Sequence, residues 1–127
     1  MRQTSAAALT ALIDGYCGAW CEADAGRRVA MLAEALTDGA VYTDPTARVV
    51  GVEALATHIG TVLAANPGAR VSRTSRVEAH HDVARFAWQM TRADGTVLPE
   101  GVDFVELTSD GTRLCSITGF FGPLRHA

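Results

Sequence analysis

Asp103 is the residue with the clearest chemical potential in this chain. It lies mid-strand in Gly101-Val102-Asp103-Phe104-Val105-Glu106-Leu107, on the same alternating face as Val105 and Leu107. Successive strand side chains point to opposite faces. Glu106 and Thr108 on the other face have the character of solvent residues, so the alternation turns Asp103 inward, although the reverse register would bury Val102 and Phe104 instead. An inward carboxyl is costly unless it is hydrogen-bonded or keeps its proton. Such a group is a candidate proton donor or base.

Other residue types that could take part carry plainer alternatives. Trp20, Phe86, Trp88, Met90 and Phe121 could line a pocket for a flat apolar molecule, yet aromatic and Met positions on element faces are usually core. His58 falls between Leu55 and Val62 on a helical stripe, where a hydrogen-bonded core histidine competes with a second base. His80 and His81 adjoin a turn and, as strand neighbours, point to opposite faces, which disfavours a shared metal. Cys17, Cys21 and Cys115 are odd in number and lack partners at a metal-binding spacing; they read as small apolar residues in a reducing cytoplasm. No metal and no cofactor is expected.

The elements that must position these groups follow from periodicity. Leu9, Leu12, Ile13, Tyr16 and Trp20 mark an amphipathic helix after a cap at Thr4 or Ser5, and Val29, Leu32, Ala33 and Leu36 continue helical spacing after Glu22-Ala23-Asp24. Ala40-Val41-Tyr42-Thr43 before Asp44-Pro45 is a short strand, and Arg48-Val49-Val50 a second. A third helix carries Leu55, Ile59, Val62 and Leu63 and ends at Asn66-Pro67-Gly68. The remainder reads as strand over 70–79, 83–92, 96–109 and 113–121, with turns at His81-Asp82, Asp94-Gly95 and Asp110-Gly111. Pro99-Glu100-Gly101 predicts a bulge or bend just before Asp103. The order predicts an α+β fold, an antiparallel sheet curved around helices with a pocket between them.

The chain has 127 residues, 48% of them hydrophobic, which suits one domain over 1–127 with a real core and leaves no room for a separate cofactor domain. Eleven basic and fourteen acidic residues give a net charge of −3 with no basic run, so nucleic acid is not expected as a partner. The apolar stretch from Ala6 to Ile13 is short and runs into Asp14, reading as a helix beginning and not a leader. No segment approaches the roughly 18 apolar residues that span a bilayer. A soluble, cytoplasmic protein with no membrane partner is expected.

The stretch Tyr-Thr-Asp-Pro-Thr-Ala-Arg-Val-Val-Gly-Val-Glu-Ala-Leu-Ala-Thr-His-Ile from Tyr42 to Ile59 resembles the SnoaL-like branch of the nuclear transport factor 2-like superfamily. Ala84-Arg85-Phe86-Ala87-Trp88 and Gly119-Phe120-Phe121-Gly122-Pro123 fit the same branch, so the resemblance covers nearly the whole chain. It implies a cone: a strongly bent sheet wrapped around three helices of the N-terminal half and enclosing a cavity. It also implies a homodimer and a small apolar ligand or substrate.

Among relatives of that superfamily, ketosteroid isomerases keep a carboxylic acid neutral in an apolar site. Their pattern of a tyrosine on the first helix, an aspartate before proline and an aspartate on a late strand falls here on Tyr16, Asp44 and Asp103. The resemblance implies that Asp44 removes a proton alpha to a carbonyl while Tyr16 and protonated Asp103 hold the oxyanion. Asp44 could instead cap its turn, and Tyr16 could be plain core. Polyketide cyclases of the superfamily imply a different role for Asp103, as the acid and base of an aldol closure. Epoxide hydrolases would need an inward arginine between two aspartates, for which Arg73 and Arg92 are the candidates. Residues around Glu34 to Gly39 are extra relative to the isomerase pattern and are expected at the pocket rim. A ligand-binding module without chemistry is the non-enzymatic alternative.

Overall fold

The computed structural model describes residues 5–127. Thr4, one of the two expected caps, lies outside the described residues. Ser5 is the cap of α1 (Ala6–Ala19), its hydroxyl accepting from the Ala8 amide at 3.1 Å. Asp24 does the same for α2 (Ala25–Ala35), accepting from Arg27 at 2.8 Å. Both satisfy amides that have no partner inside the helix.

The strands are β1 (Leu36–Asp44), β2 (Ala47–Val50), β3 (Arg70–Arg73), β4 (Glu78–His80), β5 (Val83–Thr91), β6 (Gly101–Leu107) and β7 (Leu114–Phe120), with α3 (Val52–Ala65) between β2 and β3. They form one seven-stranded sheet in the order β2-β1-β7-β6-β5-β3, with β4 also on β5. The C-terminal strands pair antiparallel as expected, whereas β1 runs parallel to β7, which makes the sheet mixed. Parallel pairing needs a long crossover, and the 69 residues between β1 and β7 that carry α3 and the meander supply it.

Several boundaries differ from the expected ones for identifiable reasons. The residues expected as an addition over 34–39 are the end of α2 and the start of β1, where a register shift between Leu36 and Val41 absorbs them. On α2 the buried positions are Arg28, Leu32 and Ala35, while Ala33 is exposed. Arg28 takes an inward place no hydrophobic period anticipates: its guanidinium donates to Glu22 O, Ala23 O and Ala56 O, tying the α1–α2 loop to α3. The expected strand over 70–79 is two strands, because Ser75 Oγ accepts the Ala87 amide at 2.8 Å in place of a ladder bond. The Pro99-Glu100-Gly101 break is larger than a bulge: 98–100 leave the sheet and β6 begins at Gly101.

The concave face of the sheet and the inner faces of the helices share one core. Ile13, Leu32, Leu55, Ile59, Val105 and Ile117 are all fully buried in it. Phe104 and Phe120 project from the other face, 44% and 57% exposed, so the strand alternation is resolved in favour of Asp103 facing inward.

Candidate active site

The site is assembled along one row of the sheet. In the β5–β6–β7 register Phe86 opposes Asp103 and Asp103 opposes Gly119. On the other side of β7, Thr43 pairs Thr118, which brings Asp44 beside Gly119. A Cβ at Gly119 would stand 2.8 Å from Asp103 Oδ1 and 3.7 Å from Asp44 Cβ. The missing side chain is therefore what lets two carboxyl groups share the concave face.

Asp103 is 6% exposed, and Oδ1 accepts the Trp88 indole N–H at 2.8 Å. Burial pushes its carboxyl up to about 7, the Trp88 bond opposes that, and the Asp44 charge adds to it. Trp88 can reach because its indole lies over Gly101, its register partner. A methyl at Gly101 would overlap the Trp88 ring and come within 2.9 Å of Phe120 O. Gly101→Ala is expected to destabilise the fold by about 1–3 kcal/mol, the usual penalty of overpacking. It should also shift Trp88 fluorescence, because the indole must move; an unchanged emission and melting temperature would show that the site tolerates the methyl.

Asp44 is held at the β1–β2 turn. Its Oδ1 accepts from Thr46 N and Thr46 Oγ1, both at 2.7 Å, and from Ala47 N at 3.0 Å, while Oδ2 accepts the Tyr42 hydroxyl at 2.5 Å. Its side chain is only 3% exposed. Burial works to raise its carboxyl, but the bonds from Tyr42 and Thr46 outweigh it and hold Asp44 below the ordinary carboxylate value. Asp44 thus caps the turn and also faces the pocket, so the two readings of this residue are compatible.

Tyr16 is buried on α1 and its oxygen accepts the Trp20 indole N–H at 3.0 Å. With the oxygen oriented by Trp20, the phenolic proton is not committed to a protein acceptor among the described residues. Burial and the nearby Asp103 charge raise Tyr16 well above the ordinary phenol value, so it stays a donor at working pH. Burial and the bond to Asp44 do the same for Tyr42. Cys17 also reaches the pocket, its thiol pushed up to about 12 by burial and therefore unreactive.

These groups open on a pocket of about 600 Å³, within the range that holds a small organic molecule. Of the residues expected there, Tyr16, Trp20, Asp44, Phe86, Trp88, Met90, Asp103 and Phe121 all line it. Phe121 is half exposed and edge-on to Trp88 at 5.8 Å. His58 is not on the wall: its ring stands beside Tyr42 and Trp20, at 5.7 and 6.1 Å between centroids, with Nε2 3.7 Å from Asp44 Oδ2. His80 and His81 sit exposed at their turn, away from it.

Two signals in the sequence went unused. Tyr42 is two residues from Asp44 on one strand, which places both side chains on one face. Glycines 101 and 119 within strands mark close approach of other groups. The arginines considered for water activation do not enter: Arg73 pairs with Asp14 at 2.8 Å and Arg92 is exposed. Arg125, on the segment after β7, is the cation that lines the pocket. Among the described residues no group of three His, Cys, Asp or Glu could hold a metal ion, and no helix is long and apolar enough to cross a membrane.

The raised carboxyl of Asp103 has a consequence for stability. An aspartate with a folded pKa near 7 is penalised relative to the unfolded chain once it must ionise, so its contribution is most favourable below about pH 4 and is lost as pH rises through 7. Asp103→Asn removes that dependence. The variant is expected to melt higher than the parent at pH 8 and to lose this advantage as pH falls to about 4; equal differences at both pH values would mean that Asp103 ionises normally.

A curved mixed sheet packed with three helices, with Tyr16 of α1 and the two sheet aspartates lining one pocket, defines a cone-fold pocket protein. The SnoaL-like domain model matches residues 18–116, and the chain belongs to that family. A candidate isomerase of the SnoaL-like family from Agrobacterium tumefaciens str. C58 superposes with a TM-score of 0.85 at 26% identity, over 92% of this chain and 99% of that one. A candidate SnoaL-like polyketide cyclase from Jannaschia sp. CCS1 gives 0.73 at 15% identity, over 94% and 90%. A candidate ketosteroid isomerase from Kribbella flavida DSM 17836 gives 0.67 at 19%, over 95% and 82%. No curated protein sequence matches the chain.

Proposed function

We propose that the protein is a cofactor-free acid–base enzyme that moves a proton alpha to the carbonyl of a small apolar compound through an enolate. The observation that carries this reading is the opposed environment of two carboxyl groups in one pocket: Asp44 is held ionised by its hydrogen bonds, and Asp103 is held near neutrality by burial. Paired groups pushed apart in this way divide into base and acid. Asp44 abstracts the carbon-bound proton. Tyr16 and protonated Asp103 donate to the developing oxyanion, and the apolar walls from Phe86, Met90 and Trp88 exclude water, which strengthens both bonds.

A second reading is favoured by the Asp103 value itself. A group near 7 is available in both forms, which suits the acid and base of an intramolecular aldol closure, and one of the structural relatives is a candidate polyketide cyclase. Both readings share an enolate. The test is a panel of β,γ-enones and 1,3-diketones incubated with the protein and followed by NMR for migration or exchange of alpha protons. Turnover of at least one compound above the buffer rate is expected; tight binding of apolar ketones with no exchange across the panel would make the pocket a binding module.

A further inference from the structure

One buried polar atom beside the site has no partner. His58 Nε2 is sealed from solvent and makes no hydrogen bond. Buried nitrogens of this kind are rare enough to require a reason. It stands 3.7 Å from Asp44 Oδ2, the oxygen that also accepts from Tyr42 and that is not engaged by the turn. A closing movement of about half an ångström would make it a hydrogen bond. The His58 side chain as a whole is 15% exposed, and of its two ring nitrogens Nε2 is the one sealed from solvent without a partner. His58 therefore bridges the inner carboxylate and the outside, without touching the pocket.

We propose that His58 is a relay residue, which draws off the proton that Asp44 takes from substrate carbon and exchanges it with water before the enolate is reprotonated. The proposal rests on the enolate reading above. The protons balance without any further reactant. The substrate C–H bond breaks, its proton goes to Asp44 Oδ2 and its electron pair stays in the enolate. The Asp44 O–H bond then breaks as Nε2–H forms, giving an imidazolium that loses Nδ1–H to water. In the return direction Nε2–H passes back to Asp44 while Nδ1 takes a proton from water, and Asp44 delivers the new proton to carbon. Neutral imidazole offers one donor and one acceptor nitrogen, which is what a two-sided relay uses. His58 acts through Asp44 and is a positioning residue, not one that meets substrate.

The experiment is isomerisation of a β,γ-enone in D2O, with product deuterium and total turnover read from the same tube by mass spectrometry and NMR. The wild type is expected to place solvent deuterium at the new C–H position in most turnovers. In His58→Gln, which keeps a polar side chain but cannot pass a proton through, deuterium per turnover should fall about tenfold, because histidine is the side chain suited to shuttling. A merely structural role for His58 would change rate or melting temperature and leave deuterium per turnover where it was. His58→Asn repeats the measurement if the Gln variant does not fold. Wild-type turnover with fully internal proton return overturns the relay alone and needs no variant. Absence of any turnover by the wild type overturns the enolate reading and the relay together, so the two failures are distinct.

Discussion

Asp44→Asn is expected to lower kcat/KM for alpha-proton transfer by about 10²–10⁴-fold, the range general-base removal gives, while the protein stays folded. The substitution separates two functions that one side chain performs. Asn retains an oxygen that can accept from Thr46 N and Ala47 N, so the β1–β2 turn keeps its cap. It loses the negative charge and the basic lone pair at Oδ2. Asp44→Ala loses the turn acceptor as well, and should cost stability of about 1–3 kcal/mol because the amides of Thr46 and Ala47 are left without a partner. The Asn variant should therefore melt close to the parent and be nearly inactive, whereas the Ala variant should be inactive and less stable. An Asn variant as active as the parent would remove Asp44 from the base role and leave it as a turn cap, with the catalytic weight moved to Asp103.

Much of this arrangement is legible in the sequence itself. The alternation around Asp103 identified the inward carboxyl because β6 has one core face and one solvent face, with Glu106 and Phe104 exposed. The helix over 6–19 and the hairpins were legible for the same reason: each pattern has a period set by its own geometry. What did not show is pairing between distant strands. No local signal states that β1 lies parallel to β7, and that pairing is what brings Asp44 to Gly119 and hence to Asp103. Arg28 was hidden for a different reason. Its burial depends on three carbonyl oxygens from two other segments, and a charged residue on a helix is read as solvent until such acceptors are known. His58 was visible as a candidate, but its place behind Tyr42 is a matter of helix docking that spacing along α3 does not give.

The pH profile should decide what Asp103 does. If it donates to the oxyanion, only its protonated form is competent, and kcat/KM should be flat from about pH 5 to 6 and fall about tenfold per unit above its value near 7. Tyr16 is raised well above the ordinary phenol value, and so cannot supply that limb. If Asp103 is instead the base of an aldol closure, the same ionisation reads with the opposite sign: the rate rises through 7 to a plateau. Substitutions make the distinction independent of the pH scale. Asn at position 103 still offers an N–H donor, so under the donor role Asp103→Asn keeps substantial activity and loses the alkaline limb. Asp103→Leu offers none and should lose about 10²–10³-fold, as removal of one oxyanion donor does. Under the base role both variants lose the proton acceptor and fall together. Trp88 sharpens the test, since its N–H already occupies Oδ1 and leaves Oδ2 to carry the proton. Trp88→Phe removes that bond, which opposes the effect of burial, and so should move the pH midpoint upward whichever role is correct, while a midpoint that stays in place would assign the profile to a group other than Asp103.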